Sequence, residues 1–178
     1  MVARDVAPIR TGFLARFGSA IRHAMPSWKV ALPGAFLWAA IMATSAATNL
    51  MADGWQSDTR IRDVVVVFAV GGFVGFPVGL TAAALVTRQR RAEGRFAAAF
   101  LGLLIATIAA TTAVYTLEYR VYYAQWHADM FSMTWAIQFL FTTLGATFQF
   151  AVSGIRLYFP IGFIALALAA LWFARRPC

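Results

Sequence analysis

Long apolar runs alternate along the chain with short segments that collect nearly all of its charge. One run covers 30–51, a second 64–86, a third 96–117, and the last extends almost without interruption over 130–174. The hydrocarbon core of a bilayer takes about 20 apolar residues as a helix, so each of the first three runs predicts one transmembrane helix. The last is too long for one, since at 1.5 Å per residue it would reach about 65 Å. It must turn back. Residues 153–162 mark the place, because two glycines, a proline and the run's one internal charge, Arg156, meet there. That break predicts a fourth span over 131–154 and a fifth over 159–174.

The pattern therefore reads as all-α, a polytopic transmembrane helical bundle. Its length favours five spans; the alternative is four plus a re-entrant segment. An N-terminal amphipathic interfacial helix precedes them. Ile9, Phe13, Leu14, Phe17 and Ile21 gather on one helix side, with Arg22 and His23 off it, as in basic helices that lie in the headgroup layer. The chain thus divides into a membrane-face segment, 1–28, and a transmembrane helical domain, 29–178.

The second run carries the most specific signal. Gly71, Gly75 and Gly79 recur every fourth residue and Ala83 continues the row, so all four share one helix face. Apolar side chains gain nothing by leaving lipid, so membrane helices associate by close packing, and a small-residue groove admits a second backbone. Pro77 removes a backbone donor inside that groove and is expected to bend the helix. Similar rows run through Ala35, Ala39, Ala43 and Ala47, and through Ala98, Gly102, Ala106 and Ala110. Alanine is abundant enough to make such rows by chance. Glycine costs about 1 kcal/mol in a helix interior and so implies a packing reason. Gly71, Gly75, Gly79, Ala83, Gly102 and Ala106 are the predicted helix-packing residues.

Composition agrees with the pattern. Hydrophobic residues make up 61% of the chain and charged ones 12%, about half the charged share of a soluble domain. The net charge of +8 invites nucleic acid, but the basic residues stand at the ends of the apolar runs, where they mark cytoplasmic loops and headgroup contacts. No nucleic-acid partner is expected. The same rule places the N-terminus and the 88–95 loop in the cytoplasm. It conflicts with five spans at one point, because an odd number leaves Arg175 and Arg176 outside; a re-entrant fourth segment would return them. Arginine outnumbers lysine fourteen to one, which suggests a GC-rich bacterial genome and hence a bacterial inner membrane. The sole cysteine, Cys178, permits no intrachain disulfide. The first apolar run follows a long basic segment, unlike a cleavable signal peptide.

Candidate chemistry is sparse. An ionisable residue inside the membrane is the usual mark of an ion path, but Asp53, Asp58, Asp63, Glu93, Glu118 and Asp129 all fall at span ends or in loops. His23 and His127 lie at opposite ends of the bundle, so they cannot share a haem. No nucleophile elbow, P-loop or HExxH is present. No catalytic, cofactor or metal site is predicted, and the chain reads as a non-enzyme. Thr134, Gln138, Thr142, Gln149 and Ser153 share one face of the fourth span, as helix-helix hydrogen bonding or as the lining of a polar path. Tyr119, Arg120, Tyr123, Trp126, His127 and Asp129 form either an interfacial aromatic belt or an outer docking surface. The expected partners are the bilayer and other membrane subunits or a second copy. The leading function is a non-catalytic accessory, assembly or stabilising subunit of a larger membrane complex. Its rival is a small channel or carrier for a neutral or lipid-like solute, formed by a homo-oligomer.

Overall fold

A computed structural model describes residues 13–87 and 91–176, with backbone alone for 13–17, and shows helices and no strand among them. Helix α1 (Phe13–Ala24) leads into three long helices, α2 (Trp28–Ala52), α3 (Asp58–Val86) and α4 (Ala92–Tyr123). A 3₁₀ turn (Ala124–Trp126) and a short loop then reach α5 (Met133–Gln149). A π-helical turn (Phe150–Gly154) and a 3₁₀ turn (Ile155–Tyr158) join α5 to α6 (Ile161–Arg175). The interfacial face read for the N-terminal segment rests on Ile9, Phe13, Leu14 and Phe17, whose side chains lie outside the described residues.

Four helical stretches are long and apolar enough to cross a membrane: α2, α3, α4 with its 3₁₀ turn, and the run Met133–Tyr158. This is the architecture of a multi-pass membrane protein. The fifth span expected from the sequence corresponds to α6, which has 15 residues and is about 22 Å long, short of the roughly 30 Å hydrocarbon core.

The helices end where the sequence supplies the means. After α2, Gly54 adopts φ +79°, so the amide of Gly54 reaches the carbonyl of Met51 and that of Trp55 reaches Leu50, each at 3.1 Å. These two bonds close the helix terminus and turn the chain into α3. Ser132 caps α5, its Oγ accepting from the amide of Trp135 at 3.1 Å. Helix α3 continues through Pro77, and the hydroxyl of Thr81 donates to the Pro77 carbonyl at 2.7 Å.

The glycine face of α3 lies directly on α4. A Cβ added to Gly75 would stand 2.6 Å from Cα of Thr107, and one added to Gly79 would stand 2.7 Å from Cα of Leu103. At Gly71 it would overlap Thr111. From the other side, a Cβ on Gly102 would come within 2.8 Å of the Gly79 carbonyl. The backbones are therefore as close as helices without side chains at the crossing allow. Ala83 is buried at the end of this row, and Ala106 is half-buried at its margin.

The alanine rows are placed differently from the expectation. On α2 the buried face is Ala35, Trp38, Met42, Ser45, Ala46 and Leu50, so of the row Ala35, Ala39, Ala43 and Ala47 only the first is buried. On α4 the buried stripe is Ala99, Leu103, Thr107 and Thr111, one position along from Ala98, Gly102, Ala106 and Ala110. The cause is packing: each glycine of α3 leaves room for a larger side chain opposite, so the contact centres on leucine and threonine rather than alanine. Phe68, Met42 and Leu103 fill the middle of the bundle.

Antiparallel packing defines two ends. The start of α2, the end of α3 and the start of α4 share a basic end with Lys29, Arg91 and Arg95. The end of α2, the start of α3 and the end of α4 share the opposite end, where Asp53, Asp58, Asp63 and Glu118 stand among Arg60, Arg62 and Arg120; it is named the acidic end for the carboxylates that set it apart from the other. Helix α5 starts beyond the acidic end and descends until Phe150 packs on Phe68 and Tyr115. The π and 3₁₀ turns then run across the bundle at that depth, with Tyr158 against Phe68 at 4.8 Å and Gly162 beside Met42. Helix α6 completes the descent. Arg95 receives it, donating to the carbonyls of Arg176 at 2.6 Å and Phe173 at 3.1 Å, a cation placed where a helix C-terminus attracts one. Thus α5, the two turns and α6 together run from the acidic end to the basic end. Arg175 and Arg176 stand at the basic end with Arg95, not opposite it as five complete spans would require.

Two outcomes follow. Gly75→Leu should destabilise the bundle by about 1–3 kcal/mol through overpacking, whereas Val74→Leu on the exposed face should not; helix propensity alone predicts a gain, so thermal unfolding in detergent separates the effects by sign. Single-cysteine reporters at Arg91 and Arg175 should be labelled from the same side of the membrane, and labelling from opposite sides would overturn a single last crossing made of α5, the turns and α6.

Candidate functional site

The π and 3₁₀ turns between α5 and α6 interrupt the α-helical hydrogen-bond ladder within an apolar run, where unpaired carbonyls are costly. Two residues of α2 meet that demand. Ser45 Oγ donates to the Leu157 carbonyl at 2.8 Å. Asn49 Nδ2 donates to the carbonyls of Phe159 at 2.8 Å, Leu157 at 3.3 Å and Ser45 at 2.8 Å. From α4, Thr111 Oγ1 accepts from the hydroxyl of Tyr158 at 2.7 Å and itself donates to the Thr107 carbonyl at 2.8 Å. Thr107 Oγ1 in turn accepts from Trp38 Nε1 at 3.0 Å. The two threonines opposite the glycines therefore also fasten α2 and the crossing segment.

Held this way, the segment stands off from α3 and α4 and encloses a cavity of about 350 Å³ at the acidic end. Its floor is apolar, formed by Val67, Phe68, Tyr115, Phe150 and Leu157. Its polar lining comes from three separate elements: Asp63 on α3, Glu118 on α4, and Gln149, Ser153 and Arg156 on the interrupted stretch. Arg156 donates to Asp53 Oδ2 at 2.8 Å, which anchors its guanidinium at the rim, and Asp63 pairs with Arg62 at 3.6 Å. The size falls within the range of small-molecule sites, about 300–1,000 Å³. An apolar floor under carboxylates and an arginine suits an amphiphile with an apolar body and a polar head able to donate hydrogen bonds.

Deeper in, the space between Trp38, Leu103, Thr107 and Tyr158 amounts to about 20 Å³, enough for one water. The middle of the bundle is closed along its axis by packed side chains.

The polar face of the fourth span separates into two parts. Gln149 and Ser153 line the cavity. Gln138 instead accepts from the Ala128 amide at 2.9 Å, and Thr142 meets His127 Nε2 at 3.3 Å, fixing the loop that precedes α5. The aromatic loop is also divided. Arg120 lies with its guanidinium 3.6 Å from the Phe139 ring centroid, and it and His127 face α5 rather than the outside. Tyr119 stacks on Tyr123 at 4.6 Å, and Trp126 packs on Tyr122 and Tyr123. Trp126, Tyr123 and Asp129 are exposed. No group of three or more metal-ligating side chains exists among the described residues.

Asn49, Ser45, Trp38 and Thr107 carry no local motif, and Asp63 and Glu118 read as loop acids. Only one signal was present in the sequence: an asparagine and a serine four apart inside a span, which in lipid must find partners. No protein family, curated protein or solved structure matches the chain.

Asn49→Ala should leave the Phe159 carbonyl without its donor and cost about 1–3 kcal/mol. Thr48→Ala, one residue away on the exposed side, should stay within about 0.5 kcal/mol of the parent. Melting temperatures in one detergent test this, and equal losses would remove the role assigned to Asn49.

Proposed function

We propose that this protein is a non-catalytic multi-pass membrane component that binds a lipid-like amphiphile in the acidic-end cavity. The observation that carries this reading is the cavity itself, an apolar floor beneath Asp63, Glu118 and Arg156, built where a transmembrane crossing is interrupted. Broken helices in membranes are tolerated where they line a cavity, and carriers place their sites at such breaks. The closed bundle axis favours a binding or carrier role over a pore through a single chain.

Location follows from charge. Lys29, Arg91, Arg95, Arg175 and Arg176 at one end favour the cytoplasmic side for that end and for α1. The cavity then opens to the opposite face, and four crossings, the last one broken, account for all of these positions. A bacterial inner membrane fits the arginine bias.

One observation supports the accessory-subunit reading as well. Helix α5 buries only Ala146 and exposes Met133, Ile137, Phe141 and Phe148, a thin attachment that a neighbouring membrane subunit would reinforce.

Purification in a gentle detergent followed by native mass spectrometry tests both. An amphiphile retained at one per chain, and lost in Ser153→Trp while the melting temperature is kept, supports the binding reading. Equal retention in Ser153→Trp overturns it. Proteins co-purifying at fixed stoichiometry, and released by charged substitutions at Ile137 and Phe141, support the subunit reading.

A further inference from the structure

A second groove opens at the other end of the bundle, on the outer face between α2 and α6. It measures about 490 Å³. Its walls are apolar, with Leu37 and Ile41 from α2 and Leu168 and Ala169 from α6, and its mouth carries Lys29 and Arg176. Neither cation has an ion-pair partner among the described residues. The guanidinium of Arg176 lies 3.6 Å from the ring centroid of Trp172, and Lys29 stands 5.9 Å from that of Trp28. Trp28 opens α2 and Trp172 lies near the end of α6, both at the basic end, and tryptophans favour the headgroup boundary, the depth of lipid phosphates. From Lys29 to Ile41 the groove runs roughly 18 Å along α2, close to one leaflet of a core about 30 Å thick.

We infer that this groove seats one anionic phospholipid, with its phosphate between Lys29 and Arg176 and an acyl chain along Leu37, Ile41 and Leu168. Basic pockets between transmembrane helices recognise anionic headgroups by this combination of charge and depth. Free phosphate would leave the apolar walls unused. A second copy docking by a two-fold axis would bring the same cations together across the interface. The site is independent of the acidic-end cavity in position and in charge.

The test compares the purified protein in mixed micelles with phosphatidylglycerol or with phosphatidylcholine, reading retained lipid by native mass spectrometry and stability by thermal melting. One phosphatidylglycerol should be retained and should raise the melting temperature; phosphatidylcholine should do neither. Lys29→Gln with Arg176→Gln should weaken phosphatidylglycerol binding roughly 30-fold, from about 1 kcal/mol for each cation. The substitution leaves the Arg176 carbonyl in place to accept from Arg95, so the α6 terminus stays capped. Ala169→Phe, which fills the groove and keeps both charges, should also lose the lipid. Unchanged retention in the glutamine variant would overturn the inference. So would an equal loss on neutralising Arg22 and Arg91 outside the groove, which would indicate diffuse surface charge, or a lipid-free dimer of the parent protein.

Discussion

Thr107 and Thr111 of α4 are the point where α2, α3 and the segment that follows α5 meet α4. Gly75 and Gly71 of α3 sit directly on them, Trp38 of α2 donates to one, and Tyr158 of the crossing segment donates to the other. In lipid, helices are not driven together by removal from water, so close van der Waals contact and hydrogen bonds must hold them. The glycines bring α3 near enough for the first. The hydroxyls supply the second, Thr107 accepting from Trp38 and Thr111 accepting from Tyr158 while donating to the Thr107 carbonyl. A bulkier residue on α3 would move α4, and with it the acceptors that α2 and Tyr158 rely on.

That junction also explains how a membrane bundle contains a break. Where the α-helical ladder is interrupted between α5 and α6, carbonyls are freed that lipid cannot satisfy. Here Ser45 and Asn49 supply their donors from α2 and Tyr158 ties the stretch to α4. The interrupted stretch is therefore a supported element, and the space it leaves over Phe68 and Tyr115 is the acidic-end cavity. The same break sends α6 down to Arg95, which unites Arg95, Arg175 and Arg176 at one end.

Much of this organisation was legible along the chain, and the rest had a physical reason not to be. Apolar runs of spanning length, the turn near 153–162 and the packing role of the Gly71–Gly75–Gly79 row follow from local periodicity, because one helix face is a property of one segment. Which residues those glycines would meet is not: the four-residue rows of alanine on α2 and α4 were plausible partners, yet the stripe through Leu103, Thr107 and Thr111 took their place. The depth at which the last run turns was not legible for a related reason. Length and hydropathy measure whether a segment can cross, while the depth at which Phe150 and Gly162 stop is set by Phe68, Tyr115 and Met42 on other helices.

The sequence by itself determined the membrane class, the helical elements, the glycine face and the basic segments at the ends of the apolar runs, since each depends on the chemistry of residues near one another in the chain. Tertiary structure alone decided that α6 ends beside Arg95, and that Asp63, Glu118 and Arg156 border one cavity. It also decided that Lys29 and Arg176, at opposite ends of the domain's sequence, flank one groove. Those juxtapositions join residues from different helices, and only the closeness of α3 to α4, and the bonds that hold the break, bring them within reach.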